Sequence, residues 1–221
     1  MTITMTTTMA TSAPVTATTT ADFWFDPRCP WAWMASRWML QVEQVRDVRV
    51  RWHVMSLSVL NEGQDVDPGY RAFCDASWQP VRALVAAQRD HGDDVVLPLY
   101  TALGNRFHLQ DRDDVDAVVR EALAEIGLPD ALADLATTDA VDDALRSSHG
   151  EAIALVGQDV GTPVISVPGP AGDQVAFFGP VVTPAPKGEA AGRLWDGTLL
   201  VAGTPGFFEL KRTRDVDPVF D

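Results

Sequence analysis

The chain has 221 residues and two cysteines, and Cys29 is the cysteine placed to do chemistry. It follows the apolar run Asp22-Phe23-Trp24-Phe25 and the turn signal Asp26-Pro27, and it precedes Pro30, a residue suited to the first position of a helix. A sulfur there meets unpaired backbone N–H groups and the positive end of a helix dipole, which favour thiolate over thiol. Arg28 adds a positive charge beside it. The expectation is a pKa drawn from about 8.5 into the range of roughly 3.5 to 7.5. The plainer alternative is a small buried hydrophobe, but strand ends that open onto helix N-termini are where α/β ligand sites lie. Trp31, between Cys29 and Ala32, is expected to be partly exposed and to offer a flat apolar platform to aromatic or conjugated substrates.

Other chemistry-bearing residues are less well placed. His53, His91, His108 and His149 show no metal-ligand spacing with one another or with the cysteines, so no metal site is expected. His53 falls on the polar side of an alternating run and reads as solvated, whereas His108, close to Asn105, is a candidate to reach a cleft. Asp111, Asp113, Asp114 and Asp116 lack the glycine and terminal glutamate of a calcium loop and read as helix-capping acids. No Gly-x-Gly-x-x-Gly run follows a strand, so no tightly bound nucleotide is indicated. Cys74 lies on the apolar stripe of a helix and is expected to be buried.

The elements that must hold Cys29 follow from periodicity. Residues 1–20 are Thr-rich, without period, and read as a disordered tail, with structure beginning at Ala21. From Pro30, Met34, Trp38, Val42 and Val45 recur at helical spacing, with Cys29 at the N-cap. Val48, Val50, Trp52 and Val54 then alternate with Arg49, Arg51 and His53 as a half-buried strand. Strand, helix and strand together make a right-handed parallel crossover. Asp67-Pro68 offers a cap and first-turn proline for a helix bearing Tyr70, Phe73, Cys74, Trp78, Val81 and Val85 on one face. Helical stretches follow at Asp94–Leu103, Asp113–Ile126, Asp130–Ala136 and Thr138–Gly157. A hairpin is expected from Val164–Val167 and Val175–Phe178, then a last helix over Lys187–Leu200 and an aromatic tail.

Composition narrows the class. With 46% apolar and 22% charged residues the chain is a packed globule rather than a disordered one, and its formal net charge of −14 opposes nucleic-acid binding. The densest cationic stretch, Lys211 to Arg214, is followed by Asp215 and Asp217 and reads as a solvated face. No run of about 18 apolar residues could span a membrane. The N-terminus lacks the basic and apolar regions of a secretory signal, and two cysteines suit a reducing compartment, so a cytoplasmic protein is expected. Oligomeric state is not specified by the sequence.

The run Asp22-Phe23-Trp24-Phe25-Asp26-Pro27-Arg28-Cys29-Pro30-Trp31-Ala32-Trp33, with Gly161-Thr162-Pro163 before a later strand, resembles the DsbA-like branch of the thioredoxin superfamily. More closely it resembles the actinobacterial mycothiol-dependent reductase (nitroreductase) family, through His53-Val54-Met55-Ser56-Leu57, Asn61-Glu62, Gly104-Asn105-Arg106 with His108, Phe177-Phe178-Gly179-Pro180 and Phe207–Arg214. The resemblance covers essentially everything after Thr20. It implies an α/β thioredoxin fold in two parts, 21–59 and 158–221, interrupted by a helical insertion or lid over 60–157. It also implies a nucleophilic Cys29 flanked by Pro30, a cis peptide at Thr162-Pro163 facing its sulfur, and a cleft lined by Trp31, Asn61 and Tyr70. Mycothiol is the implied small-thiol cofactor, acting with a small-molecule substrate.

One position departs from the pattern. The typical dithiol site is Cys-Pro-Trp-Cys, and here the fourth residue is Ala32. A dithiol enzyme resolves its mixed disulfide by attack from the second cysteine, and alanine cannot attack. The leading reading is therefore a monothiol, mycothiol-dependent oxidoreductase. The alternatives are a thiol-dependent cis-trans isomerase or transferase of secondary metabolism, in which Cys29 or a bound thiolate adds to a conjugated substrate and is expelled, and a binding module that has lost its redox activity.

Overall fold

The computed structural model describes residues 18–169 and 172–220. The chain opens with β1 (Thr19–Phe25), α1 (Pro30–Val45) and β2 (Val48–Val54). Helices α2 (Leu57–Leu60), α3 (Pro68–His91), α4 (Val96–Gly104), α5 (Val115–Glu125), α6 (Ala131–Ala136) and α7 (Asp142–Val156) follow, and the hairpin β3 (Val164–Pro168) and β4 (Gln174–Phe178) precedes α8 (Glu189–Ala202). The four strands form one sheet in the order β2-β1-β3-β4, with β1 and β2 parallel and the other neighbours antiparallel. This is a mixed α/β thioredoxin architecture.

The sheet is covered on both faces, which explains the strand sequences. Phe23, Phe25, Trp52 and Ile165 point into the main core, where Phe25 stacks on Tyr100 and Trp38 of α1 packs on Trp195 of α8. Trp38 also donates its indole N–H to the Ala191 carbonyl at 3.0 Å. On the opposite face Trp24 and Val164 pack against Ala152 of α7. His53, expected to be solvated, is instead stacked on Trp24 with ring centroids 4.6 Å apart, and its Nε2 lies 2.7 Å from Asp22. Burial alone would raise the Asp22 pKa, but hydrogen bonds from Arg51 and His53 outweigh it and hold the carboxyl below its ordinary value.

Several boundaries differ from expectation. β1 starts at Thr19 because Thr19 and Thr20 pair with Val48 and Arg49, and β-branched threonine suits a strand. The first 17 residues of the expected tail lie outside the described residues. α2, a single turn capped by the Ser56 hydroxyl, was not expected. α4 ends at Gly104 and widens into a π-helical turn, Asn105–Leu109, which turns Phe107 and His108 inward. Gly104 is required there, because a Cβ would come within 2.1 Å of the Trp33 ring.

Two further helix ends match their sequence signals, whereas α7 begins at Asp142 rather than at Thr138. Asp67 caps α3 by accepting from the backbone N–H groups of Gly69 and Tyr70, and Gly157 closes α7 at φ 82°. Beyond α8 the chain has no regular structure and runs back across the molecule. The Val219 N–H donates to Thr183 Oγ1 at 2.7 Å, the Phe220 ring meets His108 at 5.5 Å, and the Arg214 guanidinium lies 5.4 Å from the Trp31 ring centre.

Candidate active site around Cys29

Cys29 occupies the N-cap of α1, with Pro30 in the first turn, and the Ala32 N–H donates to its sulfur at 3.4 Å. The thiol in turn donates to the Thr162 carbonyl at 3.3 Å, and the Thr162-Pro163 peptide is cis. Three loops meet here, and Asp26 ties them together. Its carboxylate accepts from the backbone N–H groups of Arg28 and Leu57, both at 2.8 Å, while its own N–H donates to Thr162 Oγ1 at 3.2 Å. The side chain is fully buried, and burial raises its pKa to about 6 against those hydrogen bonds.

The sequence suggests a depressed Cys29 pKa, and the structure reverses it. Cys29 is only 6% exposed, and burial pushes the thiol up to about 12 despite the lowering hydrogen bond from Ala32. The Asp26 carboxylate adds to the rise and the Trp31 N–H opposes it weakly. A helix N-terminus favours the thiolate, but desolvation disfavours any charge and is the larger effect here. In this closed arrangement the sulfur is a thiol.

Replacing Asp26 by Asn should consequently make Cys29 more acidic. In a Cys74→Ser background, alkylation by iodoacetamide is expected to quicken by roughly three- to tenfold at pH 7.5. The gap should close below about pH 6, where Asp26 takes up its own proton. An unchanged rate would show that the carboxylate does not act on the sulfur.

Around this centre the residues singled out from sequence fall into two groups. Cys29, Pro30, Ala32, Thr162 and Pro163 are in one place, with Ala32 fully buried and the half-buried Trp31 facing Arg214. Asn61 and Tyr70 form a second edge: Asn61 Nδ2 donates to the Leu57 carbonyl at 2.8 Å and reaches Tyr70 Oη at 3.4 Å. Tyr70 stacks on Phe73, and burial with the nearby Cys74 and Cys29 sulfurs pushes its phenol up to about 12. A cleft of about 610 Å³ opens beside the proline loop, lined by Asn61, Gln64, Asp65, Asp159, Gly161 and Phe178. Cys74 is 1% exposed, as its place on the apolar stripe implies.

His108 sits behind the site. Its ring lies between Trp33 and Phe220, and its Nε2 is 2.9 Å from the Pro27 carbonyl, so it braces the turn that carries Cys29. Burial lowers its pKa from 6.5 to about 4, the charges of Arg28 and Arg37 act the same way, and the Pro27 bond opposes them. Between those two pH values the unfolded chain binds a proton that the fold refuses. The stability this contributes is complete above pH 6.5 and lost as pH falls to about 4, about 3 kcal/mol in all. His108→Gln keeps a donor for Pro27 without titrating. On moving from pH 7.5 to pH 5, wild type is expected to lose about 2 kcal/mol more than this variant in urea unfolding.

Two residues beside Cys29 carry more than the sequence suggests. Asp26 reads as a turn residue, although an Asp-Pro pair just ahead of a helix-capping cysteine could have marked it as the brace of that turn. The Arg28 guanidinium is sandwiched between Phe73 at 4.6 Å and Phe107 at 5.0 Å. Among the described residues no cluster of three or more His, Cys, Asp or Glu could hold a metal ion, and no helix is long and apolar enough to cross a membrane.

Several known proteins are similar to this chain in fold or sequence. Among solved structures, the probable DsbA oxidoreductase SCO1869 of Streptomyces coelicolor aligns with TM-score 0.55 and 16% identity, covering 90% of this chain and 94% of that one. The cytosolic disulfide reductase DsbM of Pseudomonas aeruginosa aligns with TM-score 0.51 and 18% identity over 82% and 98%. These likenesses establish a DsbA-like fold. In sequence, the uncharacterized Mycobacterium tuberculosis protein Rv2286c is 30% identical over 198 residues, covering 89% of this chain and 83% of that protein. Residues 28–212 match the family described as Rv2466c-like, mycothiol-dependent nitroreductase Rv2466c. A match spanning Cys29, the helical block and the cis-proline strand places the chain in the Rv2466c-like family, thiol oxidoreductases on a DsbA-like thioredoxin fold.

Proposed function

We propose that this protein is a monothiol oxidoreductase that uses Cys29 with mycothiol to reduce a small aromatic or conjugated substrate or a mixed disulfide in the cytoplasm. The observation that carries this reading is Cys29 at the N-cap of α1, against the Thr162 carbonyl, with Ala32 where a second thiol would stand. A bound small thiol supplies the reducing sulfur that Ala32 lacks. The cleft suits such a polar thiol, since Asn61, Gln64, Asp65 and Asp159 present hydrogen-bonding groups beside the proline loop.

The residues then divide the work. Entry of water or substrate at Cys29 removes the burial that holds the thiol protonated and leaves the Ala32 and Trp31 N–H groups to favour the thiolate. The Thr162 carbonyl meets the sulfur, and Asn61, which reaches Tyr70, lies on the edge of the cleft. Reduction of a nitro to a nitroso group consumes two thiols and yields one disulfide and one water. The test is stoichiometry: turnover should require added mycothiol and consume two equivalents per two-electron reduction. A thiol requirement without consumption would favour the isomerase alternative, for which a lone cysteine also suffices.

A further inference from the structure

Arg28 differs from the arginines of this chain that pair with carboxylates or carbonyls. Arg46, Arg51, Arg82 and Arg106 each close on carboxylates, and Arg71 donates to the carbonyls of Asn61 and Gln64. Arg28 is half-buried beside the nucleophile, yet its guanidinium makes no hydrogen bond or ion pair with any described residue. Both flanking contacts are aromatic, Phe73 from α3 and Phe107 from the π-helical turn. Such ring contacts use none of the guanidinium N–H groups, which stay available to a planar, two-oxygen acceptor. Burial lowers the Arg28 pKa, with Asp26 and Asp113 opposing from a distance. In a chain of net charge −14, an anionic ligand would enter this region only with a dedicated cation.

We propose that Arg28 is a specificity-determining residue beside Cys29, binding the carboxylate of an aromatic substrate. This inference rests on Cys29 being the nucleophile. A fork-shaped guanidinium pairs a carboxylate through two parallel N–H bonds, and the phenyl rings hold it in plane before the substrate arrives. Substrates lacking the carboxylate leave the charge unpaired and are selected against.

The test uses Cys74→Ser protein, so that only Cys29 reacts, and two aromatic disulfides, carboxylate-bearing dithiobis-nitrobenzoate and uncharged dithiodipyridine. With either reagent the Cys29 thiolate forms a disulfide to one aryl sulfur, the reagent's S–S bond breaks, and the other aryl thiolate leaves with the electron pair. Adding Arg28→Met, which keeps the stem against the rings, should slow the carboxylate reagent by about tenfold or more and alter the neutral one less than about twofold. Equal slowing of both reagents would mean that Arg28 acts on the sulfur, and no slowing of either that it acts on nothing; each overturns the inference. A second measurement does not need the thiol. Tryptophan quenching should show para-nitrobenzoate binding more tightly than para-nitrobenzamide, with the difference lost in Arg28→Met. If Cys29 reacts with neither disulfide the nucleophile reading fails, and this titration decides the anion site: a retained preference supports it, and equal binding of acid and amide overturns it.

Discussion

Cys29→Ser is expected to lower turnover by on the order of 10³-fold or more, whereas Cys74→Ser should stay within about twofold of wild type. A serine hydroxyl at the N-cap keeps the helix capped, so the fold should survive. What it lacks is nucleophilicity, because no described base lies within reach and the only buried acid nearby, Asp26, spends its oxygens on Arg28 and Leu57. The measurement is steady-state reduction of a nitroaromatic substrate with mycothiol present, alongside thermal unfolding of each variant. Retention of full activity by Cys29→Ser would remove every thiol mechanism at this site. Loss in Cys74→Ser would instead bring the buried α3 cysteine into the chemistry.

The second large effect follows from Ala32. Incubated with oxidised mycothiol, the wild-type protein should form a disulfide at Cys29 that persists until an external thiol attacks it, visible as one adduct by intact mass. In Ala32→Cys a thiol one helical turn away can attack that disulfide intramolecularly, and the adduct should decay at least about a hundredfold faster. Ala32 is fully buried with its N–H on the Cys29 sulfur, so the larger side chain is expected to cost about 1 to 3 kcal/mol of stability. An adduct equally long-lived in both proteins would mean that α1 does not present position 32 to the sulfur.

Much of this site was legible in the sequence because its signals are local. Pro30 after Cys29, the helical recurrence of Met34, Trp38 and Val42, and the alternation from Val48 to Val54 each specify an element without reference to distant residues. The cis-proline opposite the sulfur came through family resemblance, since no local pattern brings Pro163 to Cys29. What stayed hidden depends on contacts across the fold. Asp26 bonds Leu57 and Thr162, which lie 31 and 136 residues away. His53 lost its solvent only because α7, far along the chain, covers its face of the sheet. The direction of the Cys29 pKa was misread for the same reason: the helix terminus is a local feature, whereas the burial that outweighs it belongs to the assembled fold.

Burial of Cys29 has a further consequence for survival in oxidising conditions. Peroxides attack thiolates, converting them first to sulfenic acid and then irreversibly to sulfinic and sulfonic acids. In dithiol relatives a neighbouring cysteine can intercept the sulfenic acid as a disulfide, and Ala32 removes that protection here. Keeping the sulfur 6% exposed and protonated, with its hydrogen on the Thr162 carbonyl, takes its place by denying peroxide a thiolate to attack. Over-oxidation should therefore be confined to moments when the cleft is open, so that the enzyme is more vulnerable while turning over than at rest.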